Sequence, residues 1–171
     1  MTILERFLGH DAWTTRQLLL RCRELSDDQL DRVFNIGDRS LRMTFVHMQD
    51  CVELHIDRML GRPERELEED YTITALLERL TRTAKEFSEF ALRVEREGRA
   101  DDLWGDDRRF SLGAGIAHLL THSMHHRAQV LYMMERLGLT DVIEGDPLGW
   151  ESQARGWGWE SGGSYGRMMA G

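Results

Sequence analysis

The sequence predicts an all-α protein: a four-helix bundle with long connections and an irregular Gly/Trp-rich C-terminal tail. Three observations lead there. Four long stretches carry apolar residues at helical spacing, and β-branched alternation is nearly absent. The two prolines, Pro63 and Pro147, both fall in connections rather than inside those stretches.

The first helix is expected over about residues 2–24, where Leu4, Phe7, Leu8, Ala12, Leu18, Leu19 and Cys22 recur at helical spacing. Ser26-Asp27-Asp28-Gln29 is a capping-box pattern that can open a short helical turn. Asn35 to Arg39 reads as a loop. The second helix runs from Ser40, a candidate N-cap, to Leu60, with Gly61 at the C′ position and Pro63 as a stop. The third runs from Thr74 to Glu97, with Leu76, Leu77, Leu80, Ala84, Phe87, Ala91, Leu92 and Val94 apolar. Ser111 caps the fourth, which extends to Leu137 before Gly138. Gly113 and Gly115 cost that helix about 1 kcal/mol each against alanine. Their use is close approach of a neighbouring helix or loop.

Residues 1–140 are therefore taken as the bundle. Residues 141–171 are taken as an irregular extension packed partly on it, since glycines interrupt any periodicity while Trp150, Trp157 and Trp159 remain large apolar groups. The last ten residues are expected to be mobile. No internal sequence repeat is evident.

Bulk properties narrow the function. A net charge of −8 leaves no basic stripe to displace counterions, so nucleic acid is not an expected partner. The basic residues are mostly interleaved with acidic ones, as on solvated helix faces. No apolar run approaches the ~20 residues that span a bilayer. The N-terminus lacks the layout of a signal peptide. Cys22 and Cys51, in different helices and without framework spacing, suggest reduced thiols. These features together predict a cytoplasmic location.

The chemistry concentrates in His118-Leu-Leu-Thr-His122-Ser-Met-His125-His126-Arg127, where four of the seven histidines fall within nine residues. At about 100° per residue they fan over about 100° of one helix face. Imidazoles at i and i+4 offer two nitrogens to one metal ion. His118 with His122, and His122 with His126, both have that spacing, and His122 with His125 is an i,i+3 pair. A third ligand must come from another helix: His10 on the first, or His47 or His55 on the second. His47 lies on a side shared with Met43, Cys51 and Leu54, as on the wall of a cleft. His55 lies nearer the apolar stripe and is equally a packing residue. Gln129 shares the face of the cluster and can hydrogen-bond a ligand imidazole. Cys51, one turn from His47, is read as a small buried apolar residue.

Two metal motifs are excluded. His122-Ser123-Met124-His125-His126 lacks the glutamate beside the first histidine that serves a zincin as general base. The Glu-x-x-His pairs of di-iron bundles are also missing, since Ile56 stands three residues after Glu53.

His47 on the second helix, followed by His118-x3-His122-x2-His125-His126-Arg127-x-Gln129 on the fourth, resembles the DinB-like (YfiT-like) metal-binding bundles. The run Gly37 to His47 is similar to the segment leading to the first ligand in that family. The similarity covers about residues 3–138. It implies a four-helix bundle with a three-histidine metal site facing a cleft, and His47, His122 and His126 as ligands. His118, His125, Arg127 and Gln129 match supporting positions. The tail after Asp146 matches no motif.

The resemblance further implies one divalent transition metal, zinc or nickel, and a low-molecular-weight thiol cosubstrate. Characterised relatives include transferases and isomerases in which such a thiol, held as metal thiolate, attacks an electrophile. A metal-dependent thiol S-transferase acting on a small-molecule substrate is the first expectation. A hydrolase using bound hydroxide and a non-enzymatic metal-binding or stress-response protein are the alternatives. A homodimer is expected, because family members often pair through bundle faces and five tryptophans with nine methionines supply apolar surface.

Overall fold

A computed structural model of the chain describes residues 1–37, 39–105, 109–143 and 145–156. Trp157, Trp159 and the last ten residues lie outside the described residues. The elements run α1 (Ile3–Arg21), a 3₁₀ turn (Cys22–Glu24), α2 (Asp27–Leu30), β1 (Val33–Phe34), β2 (Arg39–Ser40), α3 (Leu41–Met59), α4 (Ile73–Arg96), β3 (Leu103–Trp104), β4 (Phe110–Ser111), α5 (Leu112–Arg136) and α6 (Pro147–Ala154). The four long helices form an all-α bundle, as the periodicity predicts.

Each boundary has a local cause. Thr2 with Glu5, and Ser26 with Gln29, form capping boxes that open α1 and α2. Ser40, Thr72 and Ser111 each accept a hydrogen bond from the third backbone N–H of the following helix. Gly61, Gly98 and Gly138 follow α3, α4 and α5 at positive φ, where a Cβ is costly. Two regions differ from the sequence reading. The open loop expected over residues 35–39 belongs instead to a two-stranded ribbon, with Asn35, Ile36 and Gly37 in its turn, Val33 opposite Ser40 and Phe34 opposite Arg39. The tail is not irregular throughout: Pro147–Ala154 is helical, because Asp146 caps it and Pro147 fits its first turn. That helix packs on α1. The Trp150 ring fills the place a side chain at Gly9 would take, Glu151 pairs with Arg6 at 3.2 Å, and His10 bonds the Gly145 carbonyl.

Around the bundle the order is α1, α4, α3, α5. Leu8 shares one apolar cluster with Ile116 and Leu119 of α5 and with Phe90 and Val94 of α4; Leu18 and Leu19 share the other with Val130 and Met133 and with Leu76 and Leu80. Helix α1 is therefore parallel to α5 and antiparallel to α4. Gln49 bonds the Leu76 carbonyl at 3.1 Å while Glu53 meets Arg79 and Thr83, so α3 and α4 are parallel. Their connection, residues 60–72, must return along the whole bundle. Asp57 and Glu86 tie it down through Arg65 at 2.7 and 2.9 Å, and Arg42 holds the Tyr71 carbonyl. Asp57, buried beneath Arg65 and Arg62, has its carboxyl held well below the usual range by the Arg65 hydrogen bond.

Helix, ribbon and helix thus recur twice along the bundle, as α1–β1β2–α3 and α4–β3β4–α5, the first copy carrying the 3₁₀ turn and α2 between its helix and ribbon. In both, the last ribbon residue is a serine that caps a helix beginning with leucine. The helix neighbours repeat between the halves: α1 lies antiparallel to α4 as α3 does to α5, and α1 parallel to α5 as α4 is to α3, the pattern of an approximate two-fold.

Two apolar clusters fill the ends of the bundle, and buried charge lies between them. Arg79 is 1% exposed; its Nη2 reaches Glu53 at 2.6 Å and Asp50 at 2.7 Å, and Thr83 donates to Glu53 at 2.8 Å. Arg127 is buried against Asp11 of α1 and Ser123. These arginines depart from the solvated faces that charge interleaving suggests. Removing one member of such a pair leaves an uncompensated buried charge. We expect Arg79→Ala to cost about 3–5 kcal/mol, read as a lowered urea midpoint. A change below about 1 kcal/mol would show that Glu53 finds another partner.

Candidate metal centre

The α3–α5 seam brings two ladders of side chains face to face: His47, Cys51 and His55 on α3, and His118, His122 and His126 on α5. Each ladder steps by four residues, one turn at a time. Because the helices are antiparallel, His47 meets His126 at one end and His55 meets His118 at the other, with ring centroids 4.7 and 5.4 Å apart.

At the first end, ring nitrogens of His47, His122 and His126 all lie within 4.8 Å of one another. The Nε2 of His122 is 3.2 Å from that of His47 and 3.1 Å from that of His126. Nitrogens bound tetrahedrally to zinc at 2.0–2.1 Å stand about 3.3 Å apart. The trio can therefore hold one ion with little rearrangement.

Gln129 supports it. Its Oε1 accepts from His126 Nδ1–H at 2.7 Å, which leaves the Nε2 lone pair of His126 facing its neighbours. Its amide nitrogen is 3.2 Å from His125 Nε2, so His125 anchors the glutamine from outside the trio. Gly37, in the β1–β2 turn at φ +68°, rests on this glutamine: a Cβ there would lie 3.3 Å from Gln129 Nε2. The ribbon thus holds the glutamine, and the glutamine holds the histidine.

The environment favours neutral imidazoles. Burial lowers the affinity of His47 for a proton, and the Arg39 guanidinium adds to it. Burial does the same at His126, partly offset by the Gln129 hydrogen bond. His122 is brought to about 4, first by burial and then by the neighbouring histidines. Neutral nitrogens are what a metal needs. A cleft of about 490 Å³ beside His47, lined by Arg39, Met43 and Asp50 among others, is large enough for a small molecule.

At the second end, Cys51, His55 and His118 also place one donor atom each within 4.8 Å of the others. Cys51 is half-buried, not fully buried as the sequence reading has it, and its Sγ lies 3.6 Å from His55 Nδ1. Burial raises its thiol. Burial lowers His55, partly offset by a hydrogen bond to the Cys51 carbonyl. His118 thus belongs to this second group, while Arg127 points to α1. The spacing of Cys51 and His55 was the available signal for this group, and it is an i,i+4 pair one turn beyond His47. The α5 glycines serve contact: Gly113 lies against the Ala100 carbonyl, and Gly115 leaves room for Met59 and the Trp104 indole. Trp104 in turn packs edge-on against His55, centroids 6.1 Å apart.

This architecture is found in solved structures. A DinB-like protein from Bacillus cereus ATCC 10987 superposes with a TM-score of 0.61 at 18% identity, covering 78% of this chain and 89% of its own. A protein of Exiguobacterium sibiricum 255-15 assigned to the DinB family gives 0.54 at 18% identity, covering 84% and 99%. The sequence model of the DinB family matches residues 1–152, and the chain belongs to that family. No functionally curated protein matches the sequence. No helix among the described residues is long and apolar enough to cross a membrane.

The histidine shifts carry a pH dependence. An unfolded histidine takes up its proton near 6.5, whereas folded His122 does so only at about 4. Between those values the unfolded chain binds more protons, so stability present above about pH 6.5 is lost as pH falls toward 4. We expect the urea midpoint of chelator-treated protein to fall through that window, and His122→Gln to flatten the fall. Equal slopes in both proteins would assign the effect to other groups.

Proposed function

We propose that His47, His122 and His126 ligate one divalent transition metal, zinc or nickel, and that the protein is a metal-dependent transferase. In this reading a low-molecular-weight thiol is ionised in the cleft and transferred to an electrophilic small molecule. The observation that carries the metal assignment is the place of the His122 Nε2, 3.2 Å from that of His47 and 3.1 Å from that of His126, with Gln129 fixing one tautomer. Three protein ligands leave a coordination position open, the arrangement of catalytic sites. A divalent ion held there favours thiolate over thiol near neutral pH. The chain's own part is to hold the imidazoles neutral, to orient His126 through Gln129, and to supply positive charge beside an incoming anion. Arg39 supplies that charge: it lines the cleft, and its field reaches both His47 and His126. The reading suits a reducing, cytoplasmic setting in which Cys22 and Cys51 stay free thiols.

The test uses cobalt(II) in Cys51→Ser protein, so that the chain's own half-buried thiol contributes nothing. One ion is expected to bind, and His47→Ala, His122→Ala and His126→Ala each to abolish binding. Gln129→Leu should weaken it by about 10–100-fold. Adding a small thiol should then produce a sulfur-to-cobalt charge-transfer band. No binding at micromolar cobalt or zinc would overturn the site. Binding without a thiol-dependent band would overturn the transferase reading and leave the hydrolase or non-enzymatic one.

The homodimer also belongs to this reading. The described tryptophans serve the fold, with Trp150 buried, so the pairing surface is sought instead where Ile3 and Phe7 stand 74% and 51% exposed at the start of α1. They border an apolar groove with Val94, Ile116 and Leu120. Light scattering should give about twice 19.9 kDa. The monomer mass at micromolar concentration would refute it.

A further inference from the structure

We propose that Cys51, His55 and His118 form a second transition-metal site, the two-fold image of the histidine trio. The argument begins with register. Ser40 and Ser111 cap α3 and α5, and the first ladder residue follows each by seven positions, at His47 and His118. The ladders then match rung for rung: His47 with His118, Cys51 with His122, His55 with His126. Applying that exchange to His47, His122 and His126 gives His118, Cys51 and His55. The second trio is thus the other copy of an arrangement the fold makes twice.

In each trio one imidazole is also anchored through its Nδ1, by different partners. His126 is anchored by its Nδ1–H to the Gln129 side-chain oxygen at 2.7 Å. Its counterpart His55 is anchored by its Nδ1–H to the Cys51 carbonyl, also at 2.7 Å. Donation from Nδ1 leaves Nε2 unprotonated in both rings, the tautomer of a ligating imidazole whose other nitrogen is held by an oxygen. The paired rings approach to similar distances, His55 with His118 at 5.4 Å and His126 with His47 at 4.7 Å, the first pair tilted at 39° and the second edge-on at 83°.

The donors define what the second site takes. One thiolate and two imidazoles suit zinc, cobalt(II) or copper rather than magnesium or calcium. They leave one position of a tetrahedral ion open. Thiolate for imidazole at the middle rung makes the second site one unit more negative than the first and softer. The two sites differ in affinity and selectivity although the fold places them alike. Binding releases the Cys51 proton to solvent, and no electron is transferred.

Cobalt(II) titration of the whole chain separates the two sites. Wild type should bind two ions, one of them with a thiolate-to-cobalt charge-transfer band in the absence of added thiol. Cys51→Ser and His118→Ala should each bind one ion and show no band, with far-UV circular dichroism unchanged. His47→Ala should lose the other ion and keep the band. A second readout needs no variant at the site: zinc should slow alkylation of Cys51 at least tenfold in wild type and in His47→Ala, with buried Cys22 unreactive throughout. One ion per wild-type chain without a band overturns the second site and leaves the first standing. A band that disappears in His47→Ala also overturns it, because Cys51 would then be serving the histidine trio. Unprotected alkylation at saturating zinc is equally decisive against it.

Discussion

The rotation of α3 about its own axis is the setting on which the site depends, and the Arg79–Glu53 ion pair fixes it. Glu53 is buried and held through both oxygens, and Asp50 is held by the same guanidinium. At about 100° per residue, the apolar stripe of Leu41, Phe45, Met48, Ile56 and Met59 lies on one side of Glu53 and the His47–Cys51–His55 ladder roughly 120–200° away. Core, ion pair and ladder divide the circumference among them. A turn of α3 by one residue's angle would break the ion pair, expose the apolar stripe and take the ladder off α5 together. On the other side, Arg127 with Asp11 does the same for α5 against α1.

Much of this was legible in the sequence. Helical periodicity gave four helices to within a few residues, because capping residues and terminal glycines mark their ends. The clustering of histidines on one face of α5 pointed to the seam, and the position of His47 away from the apolar stripe pointed to the opposing wall. What escaped was long-range. Nothing local in Arg79 or Arg127 distinguishes them from exposed helical arginines; their burial depends on a carboxylate arriving from another helix. Cys51 reads as a packing residue, and His55 as equally a ligand or a packing residue, for the same reason, since their partner His118 lies on the other side of the seam. The helix Pro147–Ala154 was missed because its apolar periodicity is weak and Trp150 finds its place only against Gly9.

The internal two-fold was equally hidden. The two halves share little beyond a Ser-Leu start and a spacing of seven residues to the first rung. Side chains between those points are set by packing against different neighbours, so sequence comparison within the chain finds no repeat. Geometry preserves what composition does not: ribbon, serine cap, leucine and ladder recur in order. The small antiparallel ribbons are part of this. Each delivers its serine to a helix start, and the first also lays Gly37 on Gln129.

In a symmetric dimer every substitution at an isologous contact occurs twice, so a changed ligand alters both copies at once. Here both copies of the contact are carried on one continuous chain, joined by the return of residues 60–72. Each rung can change alone. Cysteine stands at one middle rung and histidine at the other, a difference that no pair of identical subunits could carry. The crossover that makes α3 and α4 parallel is therefore also what frees the two ends of the seam to diverge in chemistry while sharing a single frame.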